Sequence, residues 1–141
     1  MLEKIKSLLA DYEKALSRFN EAIHSTIESD LVMDATIQRF EFTFELSWKL
    51  MQSYLNYQGI VCNSPRQVIK ETFKLQLLSD GDAWIDMLMD RNRTSHIYDE
   101  QEARIIYDKI KSKHAPKLNS FLNQIKSAIQ ELSNDINEQE Q

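Results

Sequence analysis

Within the eight positions of Arg91-Asn92-Arg93-Thr94-Ser95-His96-Ile97-Tyr98 the chain sets a guanidinium, an imidazole and a phenol. A guanidinium is a planar fork that matches phosphate geometry and stays charged at any physiological pH. An imidazole titrates near neutrality, so it takes or gives a proton during a reaction. A phenol is both a nucleophile and an acceptor for covalent modification. Together the three groups suit phosphodiester chemistry without a metal. The plainer reading of the octapeptide is an Arg paired with local acids, a capping His and a half-buried Tyr, and short combinations of this kind also arise by accident.

Placement decides whether these groups meet. Arg91 and His96 are five positions apart, about 140° of rotation on a continuous helix, so there they would face different ways. Asp99-Glu100-Gln101-Glu102 reads as a capping box, with Asp99 as N-cap and Glu102 reaching back. The helix that carries Arg91 therefore ends near Arg93 or Thr94, leaving His96 and Tyr98 in the turn before the next helix. Trp84, Met87 or Leu88, and Arg91 share one helical face, so the guanidinium lies at the edge of an apolar surface. Low dielectric there strengthens its pull on a phosphate.

The elements that position this stretch are all helical by periodicity. Leu2, Ile5, Leu9, Tyr12, Leu16, Phe19 and Ile23 form the buried stripe of a first helix. Ser29 and Asp30 supply N-cap chemistry for a longer second helix that runs to about Tyr57 and is closed by Gly59. That helix carries two apolar stripes, one through Met33, Ile37, Phe40, Phe44, Trp48, Met51 and Leu55, the other through Phe42, Leu46, Leu50, Tyr54 and Tyr57. Either the helix is central and wrapped, or its second stripe faces another subunit; the dimer is the favoured alternative. Ser64-Pro65 starts a short third helix through Val68, Ile69 and Phe73. Ser79-Asp80-Gly81-Asp82 breaks and restarts the chain ahead of Trp84, Ile85, Leu88 and Met89. Ala103, Ile106, Tyr107 and Ile110 mark a further helix stopping near His114-Ala115-Pro116. The last helix carries Leu118, Phe121, Leu122, Ile125, Ile129 and Leu132. The expected architecture is all-α, an antiparallel up-and-down bundle of about five or six helices. It occupies residues 1–133 as one domain, with residues 134–141 a polar, acidic, frayed tail.

Composition agrees with long helices, since among 141 residues only two are Gly and two Pro while 42% are hydrophobic. The formal net charge of −5, from 17 basic and 22 acidic residues, argues against non-specific binding to nucleic acid or anionic membrane. An RNA-directed activity needs a local positive pocket in an acidic body. The single Cys62 excludes an internal disulfide framework and fits a reducing cytosol. Charges at Glu3, Lys4 and Lys6 speak against a signal peptide, and no apolar run approaches the roughly 20 residues that span a bilayer. A soluble cytoplasmic protein is expected, without membrane attachment.

Other candidates favour structural roles. Glu41, Glu45 and Lys49 line one helical face and read as a solvated strip. His24 and His114 lack a Cys or carboxylate at metal spacing, so no metal is expected. Cys62 reads as a small loop hydrophobe. Phe40, Phe42, Phe44 and Trp48 serve core and interface more simply than a base-stacking platform. No Gly-rich phosphate loop is present. Nor is there a Gly-Ser dipeptide with nearby paired Asp residues, so any adenylyl transfer belongs to a partner. No cofactor is expected.

The order Arg91, four residues, His96, Ile97, Tyr98 resembles the Arg-x4-His-x-Tyr motif of HEPN-domain proteins. The surrounding text resembles the nucleotidyltransferase substrate-binding proteins within that group: Phe40-Glu41-Phe42-Thr43-Phe44-Glu45-Leu46-Ser47-Trp48-Lys49, then Ser64-Pro65-Arg66, then Trp84 ahead of Arg91-Asn92. The resemblance spans roughly Leu2 to Leu132. It implies a homodimer of helical bundles whose motifs meet in a cleft, and a separate minimal nucleotidyltransferase with which the chain forms a toxin–antitoxin pair. It further implies that Arg91 and His96 carry metal-independent RNA cleavage. Tyr98, with Asn92 beside the site, would be the position of adenylylation or nucleotide binding. The alternative is a non-catalytic subunit that binds a substrate, or presents itself, to the nucleotidyltransferase, with RNA or a nucleotide as ligand.

Overall fold

Each helix after the first begins where a short polar side chain can accept from an otherwise orphaned backbone N–H, up to the junction of the last two. In the computed structural model, which describes residues 1–140, α1 (Leu2–Ile23) is followed by α2 (Asp30–Tyr57), whose N-cap Ser29 Oγ accepts from Val32 N at 3.2 Å. α3 (Pro65–Lys74) starts on Ser64, which accepts from Gln67 N, with Pro65 at the first helical position. α4 (Gly81–Thr94) starts on Asp80 and α5 (Glu100–Lys109) on Asp99, whose Oδ1 accepts from Glu102 N at 2.8 Å. α6 (Ala115–Glu140) completes the chain. α2 ends in a left-handed Gly59 at φ 83°, with Ile60 N donating to Leu55 O at 2.9 Å, a closure that a Cβ would strain.

The result is the all-α antiparallel bundle that periodicity implies. Thr43 Oγ1 contacts Ala15 O and Arg39 donates to Arg18 O, so advance along α2 is retreat along α1. Buried apolar side chains from every helix form one cluster. Through it runs a column of aromatic contacts: Phe19 to Phe40, Phe40 to Phe44, Phe44 to Trp84, Trp84 to Phe121, and Phe121 to Tyr12. The buried Tyr12 hydroxyl donates to Leu118 O at 2.7 Å, so its polar end is satisfied.

Three expectations change. The helix through Ile106 does not stop at His114-Ala115-Pro116, because a five-residue π-turn, Ile110–His114, carries α5 into α6 without a break. A proline lacks a donor and its ring crowds the turn before it. Here Pro116 falls in the first turn of α6, directly after a turn already widened to i→i+5 bonding, as Ala115 N donates to Ile110 O. Second, the polar stretch from Asn134, expected to fray, continues α6 to Glu140. Nothing after Pro116 breaks a helix, and side-chain pairs one turn apart such as Gln130–Asn134 at 3.2 Å support it. Third, the second stripe of α2 does not lie on one surface. Leu50 is wholly buried, Leu46 half-buried, and Phe42 remains 61% exposed. Phe42 and Leu46 form with Ala15 the floor of a groove of about 540 Å³ between α1 and α2, rimmed by Lys14, Arg18 and Arg39.

The stripe therefore divides into a folding residue and a surface residue. Leu50→Asp should abolish the cooperative thermal transition, since an unpaired charge would enter the core. Phe42→Glu should keep the helical circular dichroism and a cooperative thermal transition. Equal losses in both variants would place Phe42 in the folding core.

Candidate functional site

The apolar face of α4, through the buried Trp84, Met87 and Leu88, brings Arg91 one turn later to the edge of the core. The guanidinium is half-buried and faces α2: its Nη1 lies 3.7 Å from Glu41 Oε2 and its Nε 3.5 Å from Glu45 Oε1. Glu45 is itself held by Trp48, whose Nε1 donates to Glu45 Oε2 at 3.1 Å. Glu41 and Glu45, read from sequence as part of a solvated strip, thus turn towards the guanidinium, whereas Lys49 is exposed. Periodicity puts both acids on one face but does not say which element docks there.

These contacts are electrostatic rather than tight hydrogen bonds. Arg91 Nε is buried without a hydrogen-bond partner, and Nη1 reaches only Thr94 Oγ1, at 3.5 Å. The Thr94 hydroxyl donates back to Arg91 O at 2.6 Å and closes the helix there. The two carboxylates orient the fork, and because Nε is buried an anion can meet it only at the Nη groups.

α4 ends at Thr94 and α5 begins at Glu100, as the capping pattern requires. In the turn between, His96 N donates to Arg93 O at 2.9 Å, and Ile97 packs against the core. His96 and Tyr98 flank Ile97 and both face outward, Tyr98 being 84% exposed. Glu102 reaches back past its N-cap to Tyr98 N, at 3.4 Å, and so ties the turn to α5. Asn92 is exposed on the last turn of α4. Among the described residues no hydrogen bond or ion pair joins Arg91 to His96 or Tyr98. Within one chain the three groups lie along one short segment rather than closed around a ligand.

Sequence reasoning missed the residue beside Arg91. Asp90 is 1% exposed, and its Oδ2 accepts from His114 Nε2 at 2.6 Å and from Lys109 Nζ at 2.8 Å. Lys109 also reaches Asp86 at 3.0 Å. His114, read from sequence as lacking a Cys or carboxylate at metal spacing, is buried between Asp90 and the face of Phe40, 5.5 Å away and stacked. Burial would raise the Asp90 carboxyl, but hydrogen bonds from Lys109 and His114 outweigh it and hold the group below its ordinary range. Burial is also the main influence on His114 and lowers it, against the pull of Asp90, so the ring is neutral at pH 7 and donates from Nε2. The hydrogen bond that Lys109 donates to Asp90 raises the Lys109 ammonium. Asp86, Asp90 and His114 bring ligand atoms within 4.8 Å of one another, as a metal site would. The Lys109 ammonium, however, already lies against both carboxylates where a cation would sit.

Residues 7–127 match the family described as nucleotidyltransferase substrate binding protein like. The chain is 32% identical over 90 residues to the probable ribonuclease HepT of Haemophilus influenzae, a match covering 60% of this chain and 62% of that relative's length. A protein of known structure from Thermus thermophilus is 34% identical, with a TM-score of 0.70 over 84% of this chain and 98% of its own. A Shewanella oneidensis HEPN toxin, tri-AMPylated and in complex with the MNT antitoxin, is 17% identical. Its TM-score is also 0.70, over 87% of this chain and 96% of its own, and at that identity the likeness shows the fold alone. Among the described residues no helix is long and apolar enough to cross a membrane.

The buried network makes stability depend on pH with a definite sign. The folded state holds His114 below the ~6.5 of an unfolded chain, so the unfolded chain takes up its proton first. This contribution is complete above about pH 6.5 and shrinks as pH falls towards the folded value. Asp90, also lowered, adds a contribution that is complete above its ordinary ~3.9 and disappears as pH falls through its folded value. Melting temperature should therefore fall between about pH 7 and 5, and less steeply in His114→Gln. Calorimetry that gives parallel slopes for the two proteins would contradict a neutral, buried His114.

Proposed function

The chain belongs to the nucleotidyltransferase substrate-binding-like family of HEPN-domain proteins, and from that premise we propose that it is a cytoplasmic ribonuclease toxin, acting as a homodimer and silenced by a separate minimal nucleotidyltransferase that adenylylates Tyr98. The observation that carries the reading is a half-buried guanidinium whose one hydrogen bond is a long contact to Thr94, fixed at the end of α4, with an exposed imidazole and phenol in the next turn. The 32% identity to the probable ribonuclease supports the activity, and the AMPylated toxin bound to its antitoxin supports the partner and the modification.

The chemistry needs no metal. The RNA 2′-oxygen attacks the adjacent phosphorus as His96 removes its proton. The P–O5′ bond breaks, the departing oxygen takes up a proton as the 5′-hydroxyl, and a 2′,3′-cyclic phosphate remains. Arg91 presents its fork to the non-bridging oxygens, where charge accumulates. One imidazole serves as base and a second as acid when two copies face each other, which is why the outward aspect of His96 suits a dimer. The exposed Phe42 and half-buried Leu46 offer the apolar patch on which a second copy can seat. Tyr98 is open to a modifying enzyme. An adenylyl phosphate attached there adds a negative group that Arg91 can capture in place of RNA. In the second reading the chain only binds a nucleotide or the partner, and the same Arg, His and Tyr serve as ligands.

Purified protein should cleave RNA in the presence of a chelator. His96→Ala should abolish cleavage, and Arg91→Ala should lower kcat/KM by about 2–4 kcal/mol in transition-state terms, with Arg91→Lys a poor rescue. Partner and ATP should silence the wild type but not Tyr98→Phe. Cleavage undiminished in His96→Ala removes the proposed base, and a Tyr98→Phe protein that is still silenced removes the switch. A wild type that binds the partner yet cleaves nothing supports the second reading. Light scattering should give a dimer for the wild type and a shift towards monomer for Phe42→Glu.

A further inference from the structure

The proposed site uses Arg91, but the larger electrostatic cluster lies one residue earlier and faces a different neighbour. Arg91 faces α2, and Asp90, about 100° round the helix, faces the junction of α5 and α6. That junction is built for it. Lys109 and His114 are five residues apart and would diverge by about 140° on an α-helix. The π-turn that ends at His114, bonded i→i+5, stacks the two side chains on one side, where both reach Asp90 Oδ2. Asp86, one turn before Asp90 on α4, takes the other face of Lys109.

A buried charged cluster is a poor way to gain stability, because desolvation offsets most of the attraction and apolar residues of similar volume commonly do as well. What the cluster does supply is direction. It fixes the rotation and height of the last turn of α4 against the α5–α6 rod with short, geometrically strict contacts. Glu41 and Glu45 constrain the same turn from the α2 side. Resting on the ribonuclease reading above, we propose that Asp90 is a positioning residue: held by Lys109 and His114 across the π-turn, it sets the register of Arg91 and of the turn bearing His96 and Tyr98.

The test separates direction from stability. The variant Asp90→Leu/Lys109→Met/His114→Phe removes one negative and one positive group and fills the space with apolar side chains. It is expected to fold with a melting temperature near that of the wild type, to lower kcat for RNA about a hundredfold, the scale of an ~1 Å misplacement, and to change KM little. Amide hydrogen exchange over residues 91–98 should rise while that of α1 and α2 is unchanged. In the single variants, Lys109→Met should show the same two changes and Lys109→Arg should recover both. These keep the test valid if the triple variant does not fold. A folded triple variant, or Lys109→Met, with wild-type kcat and wild-type exchange over 91–98 overturns the proposal. If the wild-type protein cleaves no RNA, the ribonuclease reading fails, and the exchange pattern alone then decides whether Asp90 positions the segment.

Discussion

Burial of the aromatic face of α2 is the constraint on which the other elements depend. Phe40 and Phe44 are wholly buried and between them touch Phe19 on α1, Trp84 on α4 and His114 at the π-turn. Each such side chain contributes on the order of 2–3 kcal/mol on leaving water. Their size also sets the spacing of the helices around them, since cores tolerate neither voids nor overlap. α4 can approach α2 only as Trp84 meets Phe44. That approach determines where Arg91 emerges, two turns later on the same face of α4.

The polar site is laid over this apolar frame rather than built into a loop. Arg91, Glu41, Glu45 and Trp48 lie at the rim of the core, where charge is partly desolvated but water still reaches it. Two acids beside one Arg keep the local field from being strongly positive, so the positive pocket expected of an RNA-directed activity is not supplied by Arg91 within one chain. Affinity for phosphate at such a site rests on the geometry of the fork rather than on a general attraction to polyanions. His96 and Tyr98 differ from Arg91 in kind, because they stand in solvent on a short segment pinned through Ile97 and Glu102. A fixed cation beside two accessible groups is a suitable arrangement for a reaction that a second molecule can complete or block.

Much of this was legible in the sequence because its causes are local. A cap, a proline at the first helical position and a 3.6-residue stripe each act within a turn or two, so Ser29, Ser64-Pro65 and Asp99 locate their helix starts without reference to the rest of the chain. The same range covers the break after Thr94, and with it the separation of Arg91 from His96 and Tyr98. What stayed hidden depends on which surfaces meet. Nothing near Glu41 and Glu45 reveals that α4 will bring a guanidinium to them. Nothing around Leu50 distinguishes a core residue from a seam residue on a helix apolar on two sides. The π-turn is the clearest case. Proline chemistry alone predicts a stop at Pro116, yet the helix continues through a π-turn whose His114 meets, together with Lys109, the Asp90 carboxylate 24 and 19 positions away in sequence. The sequence by itself determined the helices, their ends and the chemical groups at the site. Only tertiary packing decided which carboxylates face Arg91 and what holds Asp90, because those contacts join residues far apart in the chain and form only once the aromatic core has set the distance between helices.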